Sequence, residues 1–290
     1  REKRVDLGKN LTHDQERCVL CRRCVRFLGE ITKTEEMGVF ERGIHTEVNI
    51  LDAAPVNNNY SGNLAQLCPV GAITDTDFRF KTRNWFLKDG DSICPLCSRG
   101  CNIVIQSLKG FHRFPVSKRV FRIKSRKNQE VNGFWICDKG RYEYAYLEDG
   151  RHEHILSKNG GGKEADDWEN VLSPLAEKIR EIHLAEKTLR IALILSSWLT
   201  NEELFIIKKL FKDALRINKI FFTDLPDGEA DKLLLTAERT PNKKGVLELG
   251  LDYKPLDLAV LKKDTDLLLI FNSFIHKEPN LEKIKAALDD

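Results

Sequence analysis

The spacing of apolar residues predicts helices and strands that alternate along the second half of the chain. Apolar residues recur at helical spacing in Asp167–Leu184 and Asn201–Leu215. Short apolar runs, which are typical of strands, occur at Leu189–Leu195, Lys219–Thr223 and Asp266–Phe271. Such an alternation is typical of a parallel sheet with crossover helices. We therefore predict an α/β arrangement in this half of the chain.

Local signals support this interpretation. Thr200 is followed three residues later by Glu203, the spacing of a capping box at the start of a helix. A further helix is expected from Pro279. No G-x-G-x-x-G follows the predicted strands, so the sequence gives no support for direct NAD binding.

In the first 150 residues the sequence predicts shorter helices and strands than in the second half of the chain. We expect a helix over Val25–Ile31 and a hairpin near Gly38–Ile50. Alternating strands are expected at Ile103–Leu108 and Val120–Lys124, and a helix near Lys139. Modules built from such short elements have small cores and need additional stabilisation.

Composition excludes several classes of protein. The 290 residues favour about two domains, and 41% hydrophobic residues argue against disorder. A net charge of +3 argues against a polybasic nucleic-acid arm. No apolar run approaches the roughly 18 residues that span a bilayer, and no secretory signal is visible. The chain does not begin with Met, so we expect either processing or a piece of a longer protein.

The candidate chemistry lies in eight cysteines, which form two groups of three plus one. The first group is Cys18, Cys21, Cys24 and Cys68, and the second is Cys94, Cys97, Cys101 and Cys137. Three closely spaced cysteines allow one loop to wrap an iron–sulfur cluster, and a distant fourth attaches another segment to it. A turn leads from Ser61 into Cys68, which precedes a proline as in bacterial ferredoxins. The spacing predicts two [4Fe-4S] clusters.

Three alternatives to clusters fit the cysteines less well. Structural zinc commonly uses two C-x2-C pairs for each ion, a two-plus-two pattern rather than three plus one. Disulfides would need a higher density of cysteines, and free thiols would share this spacing only by coincidence. Analysis of the bound metal distinguishes zinc from iron.

Other polar residues near the first group have two interpretations. His13 lies five residues before Cys18. Because four cysteines are already available, we expect His13 on the surface rather than as a ligand. Arg22 and Arg23 either raise the reduction potential of a nearby cluster or are simply solvated. The basic segment Arg113–Lys127 is expected to be a hairpin with one solvated face, or a surface that complements anionic cluster and partner surfaces, rather than a nucleic-acid contact.

The sequence around the first group resembles the large iron–sulfur subunit of NADH:quinone oxidoreductase, which belongs to the peripheral arm of respiratory complex I. The resemblance rests on Glu16–Phe27, Ser61–Thr74 and Asp77–Trp85. Cys94–Cys101 together with Asn132–Arg141 resembles the iron–sulfur segment that opens the molybdopterin oxidoreductase superfamily.

The later part of the chain looks like the non-catalytic pterin-type domain of the same proteins. This resemblance rests on Leu199–Glu203, Asp266–Phe271 and Glu278–Pro279. The family therefore implies α+β ferredoxin-like iron–sulfur modules followed by an α/β, parallel-sheet, molybdopterin-oxidoreductase-like domain. From the sequence we place the two modules at 1–89 and 90–150 and the α/β domain at 151–290, and the resemblance implies that this domain is non-catalytic and incomplete.

The resemblance implies electron relay. In the family, electrons taken from NADH by a flavin subunit pass through clusters in this subunit toward quinone. The first group of cysteines matches a cluster on that path, and the second matches a cluster off the main path. The resemblance implies no molybdenum or pterin and no active site in this chain.

The resemblance also implies partners and a location. We expect the other peripheral-arm subunits of complex I, including the NADH/flavin subunit, at the cytoplasmic side of the bacterial inner membrane. No nucleic acid and no direct membrane span are expected. Family members carry an upstream [2Fe-2S] domain and a cluster held by one histidine and three cysteines. Neither motif is present here, so we expect these centres on another chain, including a [2Fe-2S]-bearing partner, or missing.

Two competing functions are also compatible with the sequence. The alternative is the iron–sulfur part of an NAD-linked formate dehydrogenase, which shares both cluster segments, or of a hydrogenase, and binding of molybdenum or a pterin would identify a formate dehydrogenase. A zinc-stabilised interaction module without redox function is the other hypothesis, and metal analysis separates it.

Overall fold

The computed structural model divides the chain into two compact units, and each is described by itself. Unit 1 comprises residues 1–150 and 229–236, and unit 2 comprises residues 151–228 and 237–290. The structure describes residues 2–109, 120–149, 155–156, 164–165, 167–185, 190–257, 261 and 265–272.

Unit 1 is built from short strands and helices. Its described strands and α-helices are β1 (Val5–Gly8), β2 (Leu11–His13), α1 (Arg23–Arg26), β3 (Met37–Phe40), β4 (Glu47–Ile50), α2 (Asn63–Leu67), β5 (Ile73–Asp75), β6 (Leu87–Ile93), β7 (Asn102–Leu108), β8 (Val120–Ser125) and α3 (Asp138–Tyr142). The predicted hairpin is confirmed as β3 and β4, and the two predicted strands are confirmed as β7 and β8. The helix predicted near Lys139 is α3.

All strand pairs of unit 1 that the structure describes are antiparallel. The first sheet has the order β1-β2-β5, so β2 lies in the middle. The second is the β3-β4 hairpin, and the third has the order β6-β7-β8. The sequence did not predict β1, β2, β5 or β6.

The helices of unit 1 lie next to the cysteines. α1 continues as a π-helical segment over Phe27–Thr32, and together they cover the predicted helix after the first cysteine loop. The turn expected before Cys68 is instead the short helix α2. Cys68 follows α2 directly and has an extended backbone, so the chain changes direction at this cysteine.

One hydrophobic core contains residues from both cysteine segments. Leu28 and Leu64 from the first segment and Ile103 and Ile136 from the second are all buried in it. Because both segments bury side chains in the same core, each contributes to the stability of unit 1. The division into separate modules at residues 89 and 90 stays a prediction.

A segment from much later in the chain completes unit 1. Leu234 is buried in the core of this unit. Arg99 Nη2 donates a hydrogen bond to Leu233 O at 3.1 Å, and Ser98 Oγ donates to Thr236 Oγ1 at 3.0 Å. Residues 229–236 therefore pack beside the loop that contains the second group of cysteines.

Unit 2 contains longer helices and a parallel sheet. Its described elements are β9 (Ile155–Leu156), β10 (Glu164–Ala165), α4 (Trp168–Leu184), β11 (Ile191–Leu195), α5 (Asn201–Ile207), β12 (Lys219–Phe222), α6 (Lys243–Glu248) and β13 (Leu267–Ile270). The sheet has the order β12-β11-β13, and both pairs are parallel. All five residues of β11 are buried, as expected for a central strand.

The capping box is present at the start of α5. Glu203 N donates to Thr200 Oγ1 at 3.3 Å, and Thr200 N donates to Glu203 Oε2 at 2.8 Å. α5 continues as a π-helical segment over Lys208–Ala214. That unit 2 is a molybdopterin-type domain stays a prediction, and the helix expected from Pro279 lies outside the described residues.

In the described part of the chain, no helix combines the length and the apolar character that crossing a bilayer requires. Residues 113–119 of the basic segment also lie outside the described residues.

Candidate functional site

The structure brings the first group of cysteines to one cavity. Cys18, Cys21, Cys24 and Cys68 all line it, although Cys68 is far from the other three in sequence. The first three are supplied by the loop before α1 and by α1 itself, and the fourth by the end of α2. The four residues predicted from spacing therefore meet, with Cys21 exposed to solvent.

The backbone of the first cysteine loop contains two left-handed residues. Leu20 and Arg22, on either side of Cys21, have φ angles of 54° and 61°. This conformation is unfavourable for residues other than glycine and costs about 1–3 kcal/mol each. It also curls the loop tightly, as a loop that wraps a compact group must.

A backbone hydrogen bond reaches one sulfur atom of this group, and burial raises the pKa of another thiol. Ile73 N donates a hydrogen bond to Cys68 Sγ at 3.4 Å. Burial, with smaller contributions from the nearby Cys18 and Cys21, raises the pKa of the free Cys24 thiol to about 11. The thiol is therefore protonated at neutral pH, and binding a metal at this position releases a proton.

The second group of cysteines is buried. Cys94 N donates to Cys101 O at 2.8 Å, which closes the loop that carries three of them. Burial raises the pKa of Cys94 to about 12, and a backbone hydrogen bond at Leu96 opposes this shift. Burial and the charges of the other three cysteines raise the pKa of Cys101 to about 12. Burial also raises the pKa of Cys137.

Gly140 shows that the fourth cysteine of this group reaches the loop. A Cβ atom at this glycine would lie 3.2 Å from Cys94 Sγ and 3.7 Å from Cys137 Sγ. Gly140 N donates a hydrogen bond to Cys137 Sγ at 3.4 Å, and Cys137 caps the start of α3. Two sulfur atoms from distant segments thus approach one backbone position that has no side chain. This arrangement fits a group that binds both sulfurs.

Among the residues that the structure describes, no three His, Cys, Asp or Glu side chains come together as the ligands of a single metal ion would. The cysteines of an iron–sulfur cluster bind different irons and are therefore spread more widely than the ligands of one ion.

A buried polar network joins the two cysteine groups. Asn63 Nδ2 donates to Ile136 O at 2.8 Å, and Ile136 N donates to Asn63 Oδ1 at 3.3 Å. Arg141 Nη2 donates to the same Asn63 Oδ1 at 2.9 Å. Asn63 and Arg141 are almost completely buried. α2, which leads to Cys68, is therefore attached to the chain on both sides of Cys137.

Asp138 extends this network. Its carboxylate accepts hydrogen bonds from Ser61 Oγ, from Gly62 N at 2.8 Å and from Asn10 Nδ2 at 3.1 Å. Burial raises the pKa of Asp138, and these hydrogen bonds oppose that shift. The sequence of Ser61–Leu64 supports the family resemblance, but it does not reveal that this segment connects the two groups.

The prediction that His13 lies on the surface is wrong. Its side chain is 1% exposed and lines the cavity of the first cysteine group. The reason is its place on β2, the middle strand of a sheet whose partner strands are too short for the sequence to reveal. Arg22 and Arg23 also line the cavity but are exposed, so both interpretations of these residues stay open.

Two family models match the chain. The model described as NADH-quinone oxidoreductase subunit 3, ferredoxin-like domain, matches residues 8–74. The model described as molybdopterin oxidoreductase Fe4S4 domain matches residues 88–149. The first match contains the first group of cysteines, and the second match contains the second group.

Curated relatives with similar sequences are subunits of NADH-quinone oxidoreductases. Subunit 3 of Thermus thermophilus is 34% identical over 62% of this chain and 22% of its own length. The G subunit of Rickettsia felis is 36% identical over 71% of this chain and 29% of its own length. The G subunit of Rickettsia conorii is 31% identical over 97% of this chain and 39% of its own length. The chain thus spans between 22% and 39% of the length of these relatives.

Proposed function

Since the chain belongs to the family of these NADH-quinone oxidoreductase subunits, we propose that it is an iron–sulfur electron-relay subunit of such an oxidoreductase. The observation that carries this proposal is the meeting of Cys68 with the three cysteines of the Cys18–Cys24 loop around one cavity. A loop of three cysteines and one distant cysteine is the ligand arrangement of a [4Fe-4S] cluster.

The proposed ligand sets follow the two groups. Cys18, Cys21, Cys24 and Cys68 would hold the first cluster, and Cys94, Cys97, Cys101 and Cys137 would hold the second. Bound clusters supply reversible one-electron chemistry, in which each electron received is passed on and no bond in the protein is broken. The chain contributes burial and backbone N–H groups that donate to the sulfurs of Cys68 and Cys137.

The two sites differ in their access to partners. Cys21 is exposed, whereas all four cysteines of the second group are buried. This difference supports a role for the first cluster in exchange with other subunits and a mainly structural role for the second. The proposed donor is the flavin-bearing NADH subunit and the final acceptor is quinone.

The proposed assembly is the peripheral arm of complex I, at the cytoplasmic side of the bacterial inner membrane. Within it, residues 151–290 would form a molybdopterin-oxidoreductase-like domain that holds neither molybdenum nor a pterin. The parallel order of β12, β11 and β13 supports this assignment. The named relatives favour this function over a formate dehydrogenase or hydrogenase component.

Metal analysis of the full chain, purified without oxygen, tests the proposal. We expect about eight irons and about eight acid-labile sulfides per chain, and two [4Fe-4S] signals by electron paramagnetic resonance (EPR) after reduction. Cys18→Ser should remove one signal and about four irons, while the matched variant Val39→Ala, on β3, should retain both. Zinc without labile sulfide would overturn the proposal and leave a structural metal module.

A further inference from the structure

The β1-β2-β5 sheet of unit 1 holds His13 beside a proposed cluster ligand. His13 ends β2 and is paired with Val5 on β1 and with Ile73 on β5. Ile73 is the residue whose N–H donates to Cys68 Sγ. Asp14 N also donates to Ala72 O at 2.8 Å, which extends the pairing toward Cys68. The backbone position of His13 is therefore fixed on both sides.

The imidazole of His13 is buried without a protein partner in the described structure. Its side chain is 1% exposed, and neither Nδ1 nor Nε2 has a hydrogen-bond partner among the described residues. A buried polar group left unsatisfied costs about 1–3 kcal/mol, so such a group needs an explanation. Burial lowers the pKa of His13, although Asp14 and Glu47 oppose the shift. An imidazole carries at least one N–H donor in either protonation state.

The lining of the cavity limits what this donor can reach. Besides His13 and the four cysteines, the described lining consists of apolar residues and two arginines, whose side chains are donors only. These are Val19, Arg22, Arg23, Val48, Val70, Ala72 and Ile73. Sulfur is therefore the side-chain acceptor available within this described lining.

We propose that His13 donates a hydrogen bond to a sulfur atom of the first iron–sulfur site, either a cysteine thiolate or a sulfide of the cluster. This inference rests on the proposed function. Hydrogen bonds to the sulfurs favour the more negative, reduced form of a cluster and so raise its reduction potential. His13 thus sets the potential of the first cluster without ligating iron.

Three variants of the full chain test this role by EPR-monitored redox titration. His13→Leu removes the donor and keeps an apolar side chain, whereas His13→Gln keeps an N–H donor. His45→Leu is the matched control, because His45 is exposed in the same unit. The signal that Cys18→Ser removes identifies the first cluster, and the second cluster is the internal reference.

We expect His13→Leu to lower the potential of the first cluster and leave that of the second unchanged. His13→Gln should recover part of the shift, and His45→Leu should cause none. An unchanged first potential in His13→Leu, or equal shifts at both clusters, would overturn the inference. Loss of about four irons in both His13 variants would also overturn it, because it would indicate a ligand.

Pulsed EPR on the unmutated chain, with its histidines labelled with a nitrogen isotope, gives a test that does not depend on a variant folding. A hydrogen bond predicts a weak nitrogen coupling to the first cluster, and direct ligation predicts a strong one. Absence of any coupling, or a strong coupling, contradicts the proposed role. Absence of clusters from the purified chain would refute the proposed function itself, whereas intact clusters with an unmoved potential would refute only the role of His13.

Discussion

Gly140 leaves space beside two of the cysteines of the second group. The space that a side chain would occupy here lies between Cys94 Sγ and Cys137 Sγ. A contact of 3.2 Å is tighter than most contacts that a Cβ atom makes, and both sulfurs belong to buried side chains that cannot move aside freely. A side chain at this position would therefore have to displace Cys94 Sγ by a few tenths of an ångström.

Gly140→Ala is expected to impair the second cluster selectively. The added methyl group displaces Cys94 or Cys137, so iron should fall by about four per chain while the first EPR signal persists. Iron analysis and EPR after reconstitution measure this. Gly90→Ala is the control, because among the described residues its Cβ would meet only Ile105 O at 3.8 Å. Full iron content and two unchanged signals in Gly140→Ala would show that the site tolerates a side chain.

The stability of unit 1 is expected to depend on pH through the carboxyl group of Asp231. Its Oδ1 accepts hydrogen bonds from the N–H groups of Leu233, Leu234 and Leu235 at 2.8, 3.0 and 3.1 Å, and Tyr60 Oη donates to its Oδ2 at 2.6 Å. Burial, the largest single influence, raises the pKa of this carboxyl, but the hydrogen bonds together hold it below its ordinary value. The ionised carboxylate therefore stabilises the folded state.

Because the folded pKa is lowered, this stabilisation is present above the unfolded pKa of about 4 and is lost as pH falls through the folded pKa. The difference in unfolding free energy between the unmutated chain and Asp231→Asn should be largest at about pH 6 and should become smaller below about pH 4. Denaturant unfolding across this range measures the difference. Asp52→Asn, at an exposed position, should show no such narrowing. A difference independent of pH would contradict the assignment to the charged form.

At the scale of elements, α2 and α3 are held together by Asn63. Asn63→Ala would leave both the N–H and the C=O of Ile136 without the Asn63 side chain as partner inside the core, while Arg141 Nη2 would keep its 3.2 Å hydrogen bond to Gln66 Oε1. We expect unit 1 to lose about 1–3 kcal/mol of stability, measured by hydrogen exchange of its core amides. Asn49→Ala is the control, because the Asn49 side chain bonds only to its neighbours Glu47 and Ile50 among the described residues. Equal losses in the two variants would show that the network adds nothing specific.

The capping box is expected to stabilise the first turn of α5. Thr200→Ala removes the acceptor for Glu203 N and should cost about 1 kcal/mol. Amides in the first turn of α5 should exchange faster, while Glu202→Ala, next to the box, should change them less. Unaltered exchange in Thr200→Ala would mean that packing alone holds the start of this helix.

The elements that the sequence predicted are those with local signals. α4, α5 and β7 have helical or strand periodicity within their own residues, and β11 is a short apolar run. β1, β2 and β5 are short, and β2 pairs with β5 although His13 and Ile73 lie far apart in the sequence. No local pattern reveals such pairing, which is why the sheet, and with it the burial of His13, could not be predicted.

The same distinction applies to the candidate site. Cysteine spacing alone predicted both proposed ligand sets, because three of each set lie in one loop. Asn63, Asp138 and Arg141 were not predicted to interact, because their hydrogen bonds exist only after α2 and α3 have come together. Gly140 was visible in the sequence, but only the structure shows which atoms surround it.

For the whole molecule, the location of the cysteines predicts how the two units respond to loss of metal. All eight cysteines belong to unit 1, and Cys94, Cys101 and Cys137 are part of its hydrophobic core. Unit 2 has its own core around the buried strand β11. Where ligands are part of a small core, metal binding contributes directly to folding.

Removal of iron with a chelator should therefore unfold unit 1 and leave unit 2 folded. Hydrogen exchange of the whole chain is the measurement, with protection expected to vanish in β7 and β8 and to remain in β11 and α5. The untreated chain, which should keep both sets protected, is the control. Loss of protection in both units at the same iron content would contradict the prediction, as would full protection of unit 1 without iron.

The insertion of residues 229–236 into unit 1 has a consequence for biosynthesis. The first 150 residues leave the ribosome before the segment that packs beside the Cys97 loop has been made. At translation rates of about 5–20 residues per second, this interval lasts roughly ten seconds. During it, the loop that contains Cys94, Cys97 and Cys101 lacks the hydrogen bonds that Ser98 and Arg99 later donate to residues 236 and 233. Synthesis of residues 229–236 then supplies Leu234 to the core of unit 1, so the packing of this unit is complete only after residue 236 has been made.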